Sequence, residues 1–139
     1  GRQLGADEII DINNTEIISE IDRITSKIGS DLVIECSGSA AGASNAVKIV
    51  KKSGRVCFLG MYHEDVLIDL NRAVQYNIRM GVARAEGMWC LERAIPLMAD
   101  GRLCLRSLIT HNFPLEDIKN AIDTFVQRKG GAIKVVINP

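Results

Sequence analysis

The chain has 139 residues, 17 basic and 17 acidic side chains that cancel, and 47% hydrophobic residues. That length suits one domain of ordinary size with a single core, and the balanced charge argues against steering toward nucleic acid or an anionic membrane surface. The apolar runs fall far short of the roughly 20 residues that cross a bilayer, and Gly1-Arg-Gln-Leu-Gly-Ala-Asp lacks a signal-peptide pattern, so a cytoplasmic location is expected.

Taken in order, Arg2-Gln-Leu followed by Gly5 reads as the last turn of a helix and its glycine stop. Glu8-Ile-Ile-Asp-Ile12 reads as a strand. Asn14 or Thr15 can cap a helix in which Ile17, Ile21, Ile24 and Ile28 share one face, ending at Gly29. Asp31–Cys36 and Arg55–Leu59 are short apolar runs with the composition of strands buried on both faces. Between them Ala43, Ala46, Val47 and Val50 recur at helical spacing. Ser37 or Ser39 can cap that helix, and Gly54 stands where a left-handed stop is wanted. Strand, helix, strand with short links is a βαβ unit. The fold class is therefore α/β, a partial Rossmann-like doubly wound parallel sheet with flanking helices.

Past Gly60, Met61 to Asp65 reads as a polar loop at a strand's C-terminal end, where such sheets bind ligands. Val66–Leu70 reads as a short strand and Asn77–Ala83 as another. A helix follows Gly87, with Leu91, Ala94, Ile95 and Met98 on one face; Pro96 should bend it and Gly101 ends it. Leu105–Phe113 runs extended, and Pro114 suits a helix's first position. Leu115, Ile118, Ile122 and Phe125 form that helix's apolar face, Gly130-Gly131 stops it, and Ile133–Ile137 is a closing strand.

Cys36, Cys57, Cys90 and Cys104 form no Cys-x-x-Cys pair, and reduced structural thiols are expected. His63 and His111 stand alone, so a zinc site made within this chain is not expected. No Gly-x-Gly-x-x-Gly occurs. Gly38-Ser-Ala-Ala-Gly42 has the wrong spacing for a phosphate loop, and small residues there also serve close packing of helix on strand. Ser37-Gly38, Leu59-Gly60-Met61 and Gly81-Val82-Ala83 nonetheless leave three strands in the same way. Bare backbone at such exits can receive a ribose or nicotinamide. Glu35 alternates into a strand interior and is expected to be partnered to backbone or to a basic group rather than catalytic. Arg84-Ala-Glu86 and His111 are further polar candidates, each more simply read as solvated loop residues. Lys48, Lys51 and Lys52 cluster at a helix end, where cations complement the dipole.

Leu4-Gly-Ala-Asp-Glu-Ile-Ile-Asp11, Asp31-Leu-Val-Ile-Glu-Cys-Ser-Gly38, Gly54-Arg-Val-Cys-Phe-Leu-Gly60, Leu108-Ile-Thr-His-Asn-Phe-Pro-Leu115 and Gly131-Ala-Ile-Lys-Val-Val-Ile-Asn-Pro139 stand in the order and spacing of one family. The chain resembles the C-terminal part of a medium-chain, zinc-dependent alcohol dehydrogenase, nearest the sorbitol and threonine dehydrogenase branch. The resemblance implies a parent that oxidises a secondary alcohol or polyol with NAD or NADP. It also implies that residues 1–103 are the later part of the cofactor domain and 104–139 a return segment that packs on the catalytic domain. By position it places Cys36, Ser37 and Gly38 along the adenosine and nicotinamide sides of the cofactor, and Leu59, Gly60 and Met61 against the nicotinamide. Val82 and Arg84 would meet the carboxamide, with Arg84 near substrate, and Lys134 would reach the pyrophosphate.

The zinc ligands, the Gly-x-Gly-x-x-Gly helix and the acidic ribose-binding strand of such a parent are not in this sequence. No catalytic residue or metal ligand is assigned within it, and alone it should be inactive. Two departures stand out: Ala85 follows Arg84 where an aromatic is common, and His111-Asn112-Phe113 replaces His-Arg-Phe. Loss of the central strands would leave the Asp31–Cys36 edge open, so Glu8–Ile12 is expected to re-pair there or a second chain to cover it. A homodimer through Asn77–Val82 is implied. The alternative is a non-catalytic α/β module that binds a nucleotide or a protein through the same exits.

Overall fold

In the computed structural model, residues 1–84 and 87–139 are described, and they divide into two compact units, Gly1–Arg84 and residues 85–139. In the first unit α1 (Ile17–Ile24) precedes β1 (Ser30–Glu35), α2 (Ala40–Ile49), β2 (Val50–Phe58), α3 (Leu70–Gln75) and β3 (Arg79–Val82). The strands form one parallel sheet in the order β1-β2-β3. Val33 pairs in register with Val56, and Val56 in turn with Met80. Parallel neighbours need a crossover, and α2 and α3 supply the two.

The core is small and one-sided. Ala46, Val50 and Val56 are buried, with Val33, Phe58 and Ile78 packed against them. Val47 and Val50 are fully buried, each stabilising the unit by roughly 1.5–3 kcal/mol. α2 begins on Ser39, whose Oγ accepts the Gly42 N–H at 3.0 Å. Its far end is closed by Arg72, whose guanidinium donates to the Val47 carbonyl (3.1 Å) and the Lys48 carbonyl (2.8 Å) while lying 4.4 Å over the Tyr76 ring.

Several expectations are corrected here. Glu8–Ile12 forms no strand and does not pair with β1; Ile9 and Ile12 are exposed. A strand needs a ladder partner, and among the described residues β1 is hydrogen-bonded only to β2. The sheet is also not buried on both faces. Leu32 and Ile34, on the side away from the core, are 44% and 56% exposed.

Helix α1 is capped by neither Asn14 nor Thr15 but by Glu16, whose carboxylate accepts from the Ile18 N–H (3.1 Å) and Ser19 N–H (2.7 Å). It stops at Ile24 because Ser26 and Lys27 take left-handed backbone, which leaves Ile28 outside the helix and exposed. Past α2, Ser53 rather than Gly54 is left-handed (φ 56°). Gly54 is buried and matters for close approach: a Cβ there would lie 2.6 Å from Val50 Cγ2. Val66–Leu70 is not a strand; Asp69 caps α3 through the Arg72 N–H at 2.9 Å.

The second unit contains α4 (Met88–Ala99), β4 (Ile109–Pro114), α5 (Ile118–Val126) and β5 (Lys134–Asn138). β4 and β5 pair in parallel, His111 opposite Val135 and Phe113 opposite Ile137, with α5 as their crossover. Pro114 closes β4 instead of opening a helix, and a short 3₁₀ turn, Leu115–Asp117, leads into α5. Pro96 lies inside α4, and Gly101 past its end is left-handed as expected. No described helix is long and apolar enough to cross a membrane.

Candidate functional site

A glycine just past the end of a β-strand leaves the backbone there uncovered, and β1 (ending at Glu35) and β2 (ending at Phe58) are each followed by one, Gly38 and Gly60. β1 leads into Cys36-Ser37-Gly38, and β2 into Leu59-Gly60-Met61. Because the strands are parallel and adjacent, both exits lie at one edge of the sheet. They touch. A Cβ on Gly60 would come 2.6 Å from Gly38 Cα, and one on Gly38, which is left-handed at φ +66°, would overlap the Met61 carbonyl. The Leu59 and Gly60 N–H groups donate to the Glu35 carbonyl at 2.8 and 3.0 Å, extending the ladder beyond β2. β3 joins the same edge, since Val82 stands opposite Phe58 and the Ala83 N–H donates to the Phe58 carbonyl at 3.1 Å.

Glu35 is the buried group of this edge, 6% exposed at the last position of β1. Its Oε1 accepts the Ser37 N–H (2.7 Å) and the Ser37 hydroxyl (2.5 Å). Its Oε2 accepts the Gly38 N–H (3.3 Å) and the Tyr62 hydroxyl. Partnering to backbone is as expected from sequence; the rest comes from hydroxyls and not from a basic group. Burial pushes the Glu35 carboxyl up, but its bonds from Ser37, Tyr62 and Gly38 outweigh that and hold it below the usual glutamate range. Burial, and then the bond to Glu35, push the Tyr62 phenol up to about 12, so it remains a donor at neutral pH. Tyr62 was missed from sequence, where it lay inside a loop read only as polar.

The outward surface of this edge is low and mostly apolar. Cys36, Ser37, Leu59 and Met61 are exposed, Gly38 and Gly60 half-buried. Gly42 keeps the first turn of α2 clear: a Cβ there would meet Ser37 Oγ at 2.5 Å and Glu35 Oε1 at 2.8 Å. Val82 is 85% exposed, and Arg84 follows it out of β3. The structure thus brings eight of the nine candidate positions to the exits of neighbouring strands. The ninth, Lys134, opens β5 in the second unit, where its carbonyl accepts from the Thr110 hydroxyl at 3.2 Å.

His111 is not a solvated loop residue. It lies half-buried in β4, stacked on Phe113 and 3.0 Å from the Thr110 hydroxyl. Ala85 and Glu86 lie outside the described residues. Among the described residues no three His, Cys, Asp or Glu side chains gather where they could hold a metal ion. The edge is a glycine-lined ledge whose polar donors, the Ser37 and Gly38 N–H groups and the Ser37 and Tyr62 hydroxyls, are turned inward onto Glu35.

Residues 1–100 match the family model described as zinc-binding dehydrogenase. The chain is 32% identical to a sorbitol dehydrogenase of Arabidopsis thaliana over 146 residues, covering 99% of this chain and 39% of that protein. It is 27% identical to an L-threonine 3-dehydrogenase of Bacillus licheniformis, with coverages of 99% and 40%. Its fold matches a solved alcohol dehydrogenase of Escherichia coli CFT073, complexed with the cofactor NADH, at a TM-score of 0.84 and 21% identity over 99% of this chain and 40% of that one. The chain spans about two-fifths of the length of the curated relatives it matches.

Proposed function

The chain belongs to the zinc-binding dehydrogenase family, and on that premise we propose that it forms the part of a dehydrogenase's cofactor domain that receives the nicotinamide half of NAD or NADP. The parent protein oxidises a secondary alcohol, polyol or threonine-type substrate. One observation carries the reading. Three parallel strands of this chain end side by side, and two of the exits are glycine-lined and locked together. Ligands of open α/β sheets bind outside the carboxyl ends of the strands, which supports reading this edge as part of the cofactor site.

In this reading Cys36, Ser37 and Gly38 line the cofactor's adenosine and nicotinamide sides, and Leu59, Gly60 and Met61 lie against the nicotinamide. Val82 and Arg84 offer main-chain groups to the carboxamide, and Arg84 also lies near substrate. Lys134 reaches the pyrophosphate. When bound, the nicotinamide supplies a carbon that accepts hydride. What this chain contributes is orientation and the exclusion of water from one ring face. The family's catalytic zinc finds no donor set among the described residues, and no step is assigned through it here.

Residues 1–103 belong to the cofactor domain in this proposal, and 104–139 return to pack on the catalytic domain. A homodimer forms through Asn77–Val82, whose strand β3 has a single ladder neighbour among the described residues and four exposed residues. A cytoplasmic location belongs to the same proposal, supported by the free thiols of Cys36, Cys57 and Cys104.

The decisive experiment is to read the coding sequence upstream of Gly1. A strand–Gly-x-Gly-x-x-Gly–helix unit and Cys/His zinc ligands are expected, and an upstream region without them refutes the dehydrogenase reading in favour of a stand-alone α/β binding module. The 139-residue chain by itself should show no turnover with NAD and sorbitol, threonine or butanediol; a zinc-dependent rate would refute its assignment as one part of the active site.

A further inference from the structure

Glu35 lies outside the set of residues assigned to the cofactor, yet both exits are built on it. Its main-chain carbonyl holds Leu59 and Gly60, and its carboxylate holds Ser37, Gly38 and Tyr62. A buried carboxylate is costly unless fully hydrogen-bonded, and all of its recorded partners here are neutral donors. Capping α2 does not require it, because Ser39 already performs that role. Tyr62 reaches back across 27 residues to Oε2, and so ties the loop after β2 to the end of β1. Between the two anchors lies Met61, whose carbonyl abuts Gly38.

We propose that Glu35 and Tyr62 form a latch that sets the height and spacing of the Ser37-Gly38 and Gly60-Met61 surfaces, making them positioning residues for the nicotinamide ring. The proposal rests on the cofactor reading above. Neither side chain touches the cofactor or donates a proton to it. A satisfied buried polar network specifies one geometry where apolar packing would tolerate several. The latch acts on the exits of β1 and β2, and because Leu59, Gly60 and Met61 are assigned to the nicotinamide alone, it bears more on the nicotinamide end than on the adenosine end.

The test uses the full-length protein carrying this chain, with NADH and ADP-ribose as probes, each titrated by calorimetry alongside thermal unfolding. Tyr62→Phe keeps the ring and removes only the hydroxyl. It should weaken NADH about tenfold while ADP-ribose changes by less than about twofold, as expected for loss of one hydrogen bond to a charged acceptor. Glu35→Gln should shift the same ratio in the same direction, and should slow hydride transfer at saturating cofactor. Parallel weakening of both probes would make the latch a general scaffold and overturn the proposal, as would unchanged NADH affinity in Tyr62→Phe. If Glu35→Gln does not fold, Tyr62→Phe alone decides. An unsubstituted protein that binds neither probe would instead overturn the cofactor reading itself.

Discussion

Gly60→Ala tests the geometry on which the site reading depends. The added methyl would stand 2.6 Å from Gly38 Cα and 2.7 Å from Glu35 Oε2, and would overlap the Gly38 nitrogen. These are backbone and anchored atoms, so relief requires the two strand exits to separate. Forcing a methyl into packed surroundings costs about 1–3 kcal/mol. Separation also loosens the Gly60 N–H bond to the Glu35 carbonyl and the Gly38 N–H bond to its carboxylate, adding about 1–2 kcal/mol. The expected loss is thus about 2–5 kcal/mol, a fall in Tm of roughly 10–30 °C for a unit the size of Gly1–Arg84. Gly81→Ala is the internal control, because nothing lies within 4 Å of a Cβ there. It should leave Tm unchanged or raise it slightly. Thermal unfolding followed by circular dichroism reads both. A Gly60→Ala chain that melts with the unsubstituted one, or a Gly81→Ala chain that falls as far, would show that the two exits are not in contact.

Arg72→Ala should destabilise the first unit by about 2 kcal/mol in urea unfolding, since its guanidinium serves two carbonyls at the end of α2. Arg72→Lys should restore little, because an ammonium cannot make that fork and stack on Tyr76 together. Acid should act on the first unit through Glu35 and Glu16. Each carboxyl is held below its ordinary value, so its stabilising contribution is complete above the unfolded-state pKa near 4.5 and is lost as pH falls through the lower folded value. A pH series of urea midpoints should be flat from about pH 6 to 8 and decline below pH 5; in Glu35→Gln the decline should be shallower, and an unchanged slope would exclude Glu35 as a source. Leu32 and Ile34 form a bare apolar patch beside the open edge of β1, so the isolated chain should self-associate with concentration in sedimentation velocity. Ile34→Lys should suppress that with little change in Tm, and undiminished association would place the contact elsewhere.

How much of this was legible in the sequence depends on how far apart the deciding residues stand. The βαβ rhythm of Ser30–Phe58 follows from apolar spacing and from Ser39 at a helix start, all within a few residues of each other. The same holds for the three small-residue exits. The cap on α1 lies one or two residues past the expected Thr15 or Asn14, because the Glu16 carboxylate accepts from the Ile18 and Ser19 N–H groups and so starts the helix at Ile17. Val66–Leu70 has strand composition, yet Asp69 captures the Arg72 N–H and turns the chain into α3. Glu8–Ile12 has it too, but no ladder partner is present to stabilise it.

Composition and periodicity by themselves therefore determined the α/β class and the strand–helix–strand succession of β1, α2 and β2, since each depends on neighbours along the chain. Tertiary structure alone decided which strands pair, which sheet face stays bare, and that Glu35 faces Tyr62 across 27 residues. Those outcomes are settled by competition for ladder partners and for buried donors, groups that meet only when distant segments fold onto one another.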